Sequence, residues 1–130
     1  MNMSVGFPGG LKVSAQTGGH VVLTDQSERY GGEDAAPPPF DLFLASIATC
    51  SGFYALRFCQ KRGIETDGLA LHLETERDEQ ERRLARIRIL LELPSGFPEK
   101  YERAILRAVD QCAVKRALSD PPDLDVAISR

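Results

Sequence analysis

The sequence has little with which to bind a metal or build a disulfide framework. Its two histidines, His20 and His72, lie far apart, and its three cysteines, Cys50, Cys59 and Cys112, lack the close spacing of a zinc site. Neither a metal nor another cofactor is therefore implied. An odd number of cysteines suits a reducing compartment better than a disulfide scaffold, so a cytoplasmic location is expected. Positive charge is not in excess either: the formal net charge is −3 and the pI is about 5.4. Phosphate recognition calls for a basic surface, so nucleic acid is not expected as the main partner. The opening run MNMSVGFPGG has no basic segment leading into an apolar one, so no secretory leader is expected. No internal repeat or low-complexity tract stands out. What is present is 130 residues, 42% hydrophobic and 27% charged. That is the composition of one globular domain, 1–130, with enough chain for a real core.

The longest apolar stretch, Phe40 to Arg62 (FDLFLASIATCSGFYALRFCQKR), organises the rest. Pro37, Pro38 and Pro39 precede it, and proline is tolerated only in the first turn of a helix. Gly63 follows it and suits the left-handed position past a helix end, while Lys61 and Arg62 complement the dipole of the last turn. The pattern predicts one helix of about six turns. Being apolar on nearly every side, it is expected to be buried on nearly every side. A membrane span needs about 20 apolar residues, but Asp41, Ser46, Thr49, Ser51 and Arg57 interrupt this one, and no membrane partner is expected.

The cysteines of this helix fall on different faces. Ala45, Ala48, Gly52, Ala55 and Cys59 recur at spacings of three and four, a small-residue stripe that another backbone can approach closely, with Cys59 packed as a small hydrophobe. Cys50 shares the other face with Phe43, Ser46, Ile47, Phe53, Tyr54 and Arg57. Nine positions separate Cys50 from Cys59, a rise of roughly 13 Å against a disulfide limit of about 7 Å between Cα atoms. The two cannot pair within the helix.

Elsewhere the pattern is of short strands. Leu11 to Ala15 and His20 to Thr24 flank Gly18-Gly19 and read as a hairpin. Asp25 to Pro39 is a Gly- and Pro-rich loop long enough to expect a role in a site or interface. Leu69 to Thr75 and Leu84 to Leu93 alternate apolar and polar residues around the charged turn Asp78 to Glu81, a second hairpin with one wet face. His72 falls in the first of these strands and reads as structural. Pro98 opens a second helix, with Tyr101, Ala104, Ile105, Ala108, Val109 and Cys112 on one face, continuing with a bend to Pro121. Leu124 to Ile128 reads as a last strand. The order β-β-α-β-β-α-β predicts an α+β fold with a mostly antiparallel sheet.

Two segments then combine: P-F-D-L-F-L-A-S-I-A-T-C, Pro39 to Cys50, and D-Q-C-A-V-K-R-A-L, Asp110 to Leu118. With the hairpin TGGHVVLTD, Thr17 to Asp25, and the GGEDAAPPP loop, the chain resembles the OsmC/Ohr family of osmotically inducible and organic-hydroperoxide-resistance proteins, from about Val5 to Ile128. The resemblance implies a peroxidatic cysteine at Cys50, a resolving cysteine at Cys112, and an intertwined homodimer with an active site at each subunit interface. The hydroperoxide reductases of that family use an Arg just after the hairpin glycines and a Glu shortly after the pre-helix proline. Here those places hold His20 and Phe40, with Asp41 next, which is closer to the OsmC-like branch.

Without that Arg and Glu, the Cys50 thiol needs another cation. Arg57, on its own helix face, is the expected one; His20 is expected to line the pocket, with a general-base role as the alternative. Phe40, Phe43, Phe53 and Tyr54 suit an apolar substrate. Two functions stay open: a peroxidase that reduces small organic hydroperoxides with a dithiol reductant, or a non-catalytic dimer that binds a small apolar ligand in the interface pocket.

Overall fold

A computed structural model describes residues 1–130. The chain divides into two compact units, 1–45 and 46–130.

In the first unit, strands β1 (Ser4–Gly9), β2 (Lys12–Thr17) and β3 (His20–Thr24) form an antiparallel sheet in the order β1-β2-β3. Thr17 pairs with His20 around Gly18-Gly19, and Gly18 adopts φ 58°, the left-handed conformation such a two-residue turn needs. β1 is an addition to the expected hairpin. Pro8 and two glycines count against a strand, and the pairing absorbs them through a register shift between Gly6 and Gly9. After a 3-10 turn at Glu28–Tyr30 the loop closes on Asp25. One Asp25 carboxylate oxygen accepts from the Gln26 amide at 2.8 Å, and the other from the amides of Glu33 and Ala35 at 3.2 and 3.1 Å. Gly32 is required beside it, because a Cβ there would lie 2.0 Å from the Gln26 carbonyl oxygen.

Helix α1 (Pro39–Lys61) starts in the first unit and runs into the second, within one residue of the expected bounds. Its end is as the sequence requires. Gly63 takes φ 63°, and the Ile64 amide donates back to the Cys59 carbonyl at 3.0 Å. α1 is long and apolar enough to cross a membrane. Burial within this chain is narrower than expected: Ile47, Ser51, Ala55, Phe58 and Cys59 are buried, while Phe40, Phe53 and Leu56 are exposed.

The second unit continues with the hairpin β4 (Ala70–Asp78) and β5 (Arg83–Glu92), then a 3-10 turn at Glu99–Tyr101 leading into α2 (Glu102–Val109), and α3 (Ala113–Ser119). The expected single helix after Pro98 is broken at Asp110–Cys112, and Cys112 becomes the residue that starts α3. The expected strand Leu124 to Ile128 does not form; Leu124, Val126 and Ile128 are exposed. The pattern alternates correctly, but a strand needs a neighbour to satisfy its amides, and none is offered within the chain. The core joins Ala55, Phe58 and Cys59 of α1 to Ile105 and Val109 of α2, with Ile89, Leu91 and Leu93 packed against it. Arg62 closes one edge, its guanidinium 3.6 Å from the Phe58 ring centroid and donating to the Phe58 carbonyl.

Candidate active site

All three cysteines are free thiols. Cys59 is fully buried in the core, where burial pushes its pKa up and nearby Arg62 only partly opposes this. A thiol so placed is chemically quiet.

Cys50 and Cys112 are brought together. α1 carries Cys50, half-buried, one residue before Ser51. The break between α2 and α3 turns the 1%-exposed Cys112 toward them. Burial disfavours the Cys112 thiolate, but the Lys115 amide, the Cys50 thiol, the Val114 amide and the Ser51 hydroxyl all act on the sulfur, and together they outweigh burial. The Cys112 pKa therefore lies below its usual value. The amides orient toward the sulfur without closing a capping hydrogen bond. Ser51 Oγ is likewise buried without a full hydrogen bond of its own. Their effect is that of oriented dipoles close to the sulfur, which favour an anion there.

Arg57 is exposed and donates to Gln60 Oε1 at 3.1 Å, one turn toward the C-terminus, away from Cys50. His20 is the exposed first residue of β3. Phe53 and Tyr54 pack edge to face, with centroids 5.4 Å apart. In the first unit Phe40 and Phe43 form a tilted pair, also at 5.4 Å. His72 meets Glu92 at 3.4 Å on the surface of the second hairpin. No group of three or more His, Cys, Asp or Glu side chains is placed to hold a metal.

Ser51 is the residue that sequence reasoning passed over, counting it only as a polar interruption of an apolar run. Its signal was adjacency: it is the hydroxyl next to Cys50 in the chain. It also lines a cavity of about 550 Å³ formed by α1, β5, α2 and α3.

The chain is thus α+β, with one long helix that sets the half-buried Cys50 thiol against the buried Cys112 thiol. The model of the OsmC-like protein family matches residues 31–127, and the chain belongs to the OsmC family. Similar solved structures cover most of its length. One is a Psychrobacter arcticus protein described as an osmotic stress-induced and detoxification response protein, at 19% identity and TM-score 0.74, covering 90% of this chain and 87% of its own. An OsmC-like protein from Mycoplasma pneumoniae has 15% identity and TM-score 0.69, covering 92% and 87%. An organic hydroperoxide resistance protein OsmC from Legionella pneumophila has 17% identity and TM-score 0.58, covering 91% and 89%. At these identities the likeness carries the fold. A search of curated proteins finds no sequence match.

Proposed function

We propose that the protein is a thiol-dependent peroxidase that reduces organic hydroperoxides. The observation that carries this reading is the contact between half-buried Cys50 and the ionisable, buried Cys112. Cys50 is the thiol a substrate meets. Cys112, whose thiolate form the surrounding dipoles favour, is in contact with the Cys50 thiol and is the group placed to take its proton.

As the Cys50 sulfur attacks the distal peroxide oxygen, its proton passes to Cys112. The O–O bond breaks, Cys50 becomes a sulfenic acid, and the departing alkoxide takes the proton from Cys112 and leaves as an alcohol. The regenerated Cys112 thiolate then attacks the Cys50 sulfur. A disulfide forms, and hydroxide leaves and is protonated to water. A dithiol reductant returns both thiols, which suits a reducing cytoplasm.

The active form in this reading is a homodimer. Support comes from apolar surface that one chain leaves open: Phe53 and Leu56 on α1, the Leu124 to Ile128 segment, and Gly52, where a Cβ would meet nothing within 4 Å.

The reduced protein is expected to consume one equivalent of cumene hydroperoxide, with Cys50→Ser consuming none. Peptide mapping should then find Cys50 joined to Cys112 and Cys59 reduced. Undiminished consumption by Cys50→Ser would sink the assignment.

A further inference from the structure

The cavity between α1, β5, α2 and α3 has a graded lining. Its inner end is made by buried Ile47, Val109 and Ser51, its walls by Ile87, Ile89 and Leu91, all part-buried, and its solvent edge by exposed groups of α2 and α3. At about 550 Å³ it falls within the range of small-molecule sites. At the edge Lys115 is already paired with Asp110, so those two charges largely cancel. Arg107 stands beside them with no carboxylate partner among the salt bridges and leaves the rim net positive. An apolar cavity with a cation at its solvent edge is complementary to a chain molecule with an acidic head.

We propose that this cavity binds an amphipathic carboxylate, its alkyl chain lying on Ile47, Ile87, Ile89 and Leu91 and its carboxylate held at the rim by Arg107. A guanidinium presents a planar fork of donors that fits a carboxylate in bidentate fashion, which makes Arg107 the residue that selects an acid over a neutral chain of equal length. The site lies within residues 46–130 and is lined by none of the aromatic side chains. It does not depend on peroxide chemistry.

Octanoate and octan-1-ol serve as probes, titrated calorimetrically into the full-length Cys50→Ser protein, so that binding is measured where turnover is abolished. Octanoate is expected to bind at least tenfold more tightly than octan-1-ol. Arg107→Met, which keeps the apolar stem at an exposed position, is expected to erase that preference. Leu106→Trp, also exposed at the rim, is expected to weaken both probes by narrowing the entrance. Methyl NMR should show octanoate shifting the signals of Ile47, Ile87 and Ile89. The proposal is overturned if octanoate gives no saturable binding, as when a second copy of the chain fills the cavity. It is equally overturned if the shifted methyls lie elsewhere or if Arg107→Met leaves the preference intact. Binding with these features in a protein that consumes no hydroperoxide supports this site and defeats the peroxidase reading alone.

Discussion

Residues 46–130 bury Ile47, Ala55, Phe58, Cys59, Ile105, Val109 and Cys112, whereas residues 1–45 bury one side chain, that of Asp25. The first group is held by apolar contact. The second is organised by three backbone amides converging on one carboxylate, while Phe7 at 80% and Val21 at 65% exposure lie open on its sheet. The two therefore answer to different perturbations. Apolar burial is insensitive to pH and sensitive to lost volume. A carboxylate clamp is the reverse, since its strength requires the charged form.

The largest effect is expected in the core. Ile105, fully buried between α2 and α1, changed to Ala should cost about 2–5 kcal/mol, read as a fall in the urea midpoint. A loss near that of an exposed site would mean that residues 46–130 are not the cohesive half of the chain. Next comes Gly52→Leu. Within one chain a Cβ at this position meets nothing within 4 Å, so the new side chain has room. A destabilisation of about 1–3 kcal/mol from overpacking, with dissociation seen by light scattering, is expected only if a second chain packs on α1. An unchanged mass and midpoint would remove the stripe of small residues from the proposed dimer.

A smaller, pH-dependent effect is expected at Asp25. Hydrogen bonds from Ala35 and then Gln26 outweigh its burial and, with Glu33 and the charge of Lys12, hold its pKa below the ordinary carboxylate value. A folded-state pKa depressed in this way contributes stability that is complete above the unfolded value, about 4, and is lost as pH falls through the lower folded one. Amide exchange in residues 25–35 should therefore accelerate on acidification below that range. Asp25→Asn keeps the size but has one acceptor oxygen in place of two, so its loop should exchange faster at neutral pH and show no such acid step. A variant loop that still loosens with acid would point to another carboxylate.

The difference between the halves also explains what was legible. Helix-end and turn signals revealed α1 and the first hairpin, and hydrophobic period revealed the second hairpin and the α2 face, which pack against the apolar core. β1 was hidden by Pro8 and its glycines, which only the register shift accommodates. Leu124 to Ile128 had the right alternation and lacked a neighbour. The pairing of Cys50 with Cys112 came from family resemblance, not from period, and the role of Cys112 at the start of α3 depended on a three-residue break that no periodicity marks. Ser51 was legible only as the hydroxyl next to Cys50, because its burial and its approach to Cys112 are properties of the fold.

The smallest effect is expected at Arg57, the cation that the sequence placed beside Cys50. Helical side chains lean toward the N-terminus, and from that rule alone the guanidinium would approach the sulfur across two turns. The structure directs it the other way, to Gln60 Oε1 at 3.1 Å in an exposed setting. An exposed charge at such separation is screened by solvent. The groups that act on the Cys112 thiol are instead the amides of Lys115 and Val114, the Cys50 thiol and the Ser51 hydroxyl. Arg57→Met keeps the apolar stem and should leave the pH profile of Cys50 alkylation and the rate of hydroperoxide consumption unchanged. Ser51→Ala should move the onset of Cys112 thiolate absorbance to higher pH and slow consumption, because one dipole favouring the anion is gone while burial still opposes it. The two variants thus weigh a distant full charge against a near partial one. A profile displaced by Arg57→Met and untouched by Ser51→Ala would return activation to the guanidinium and remove Cys112 as the base for Cys50.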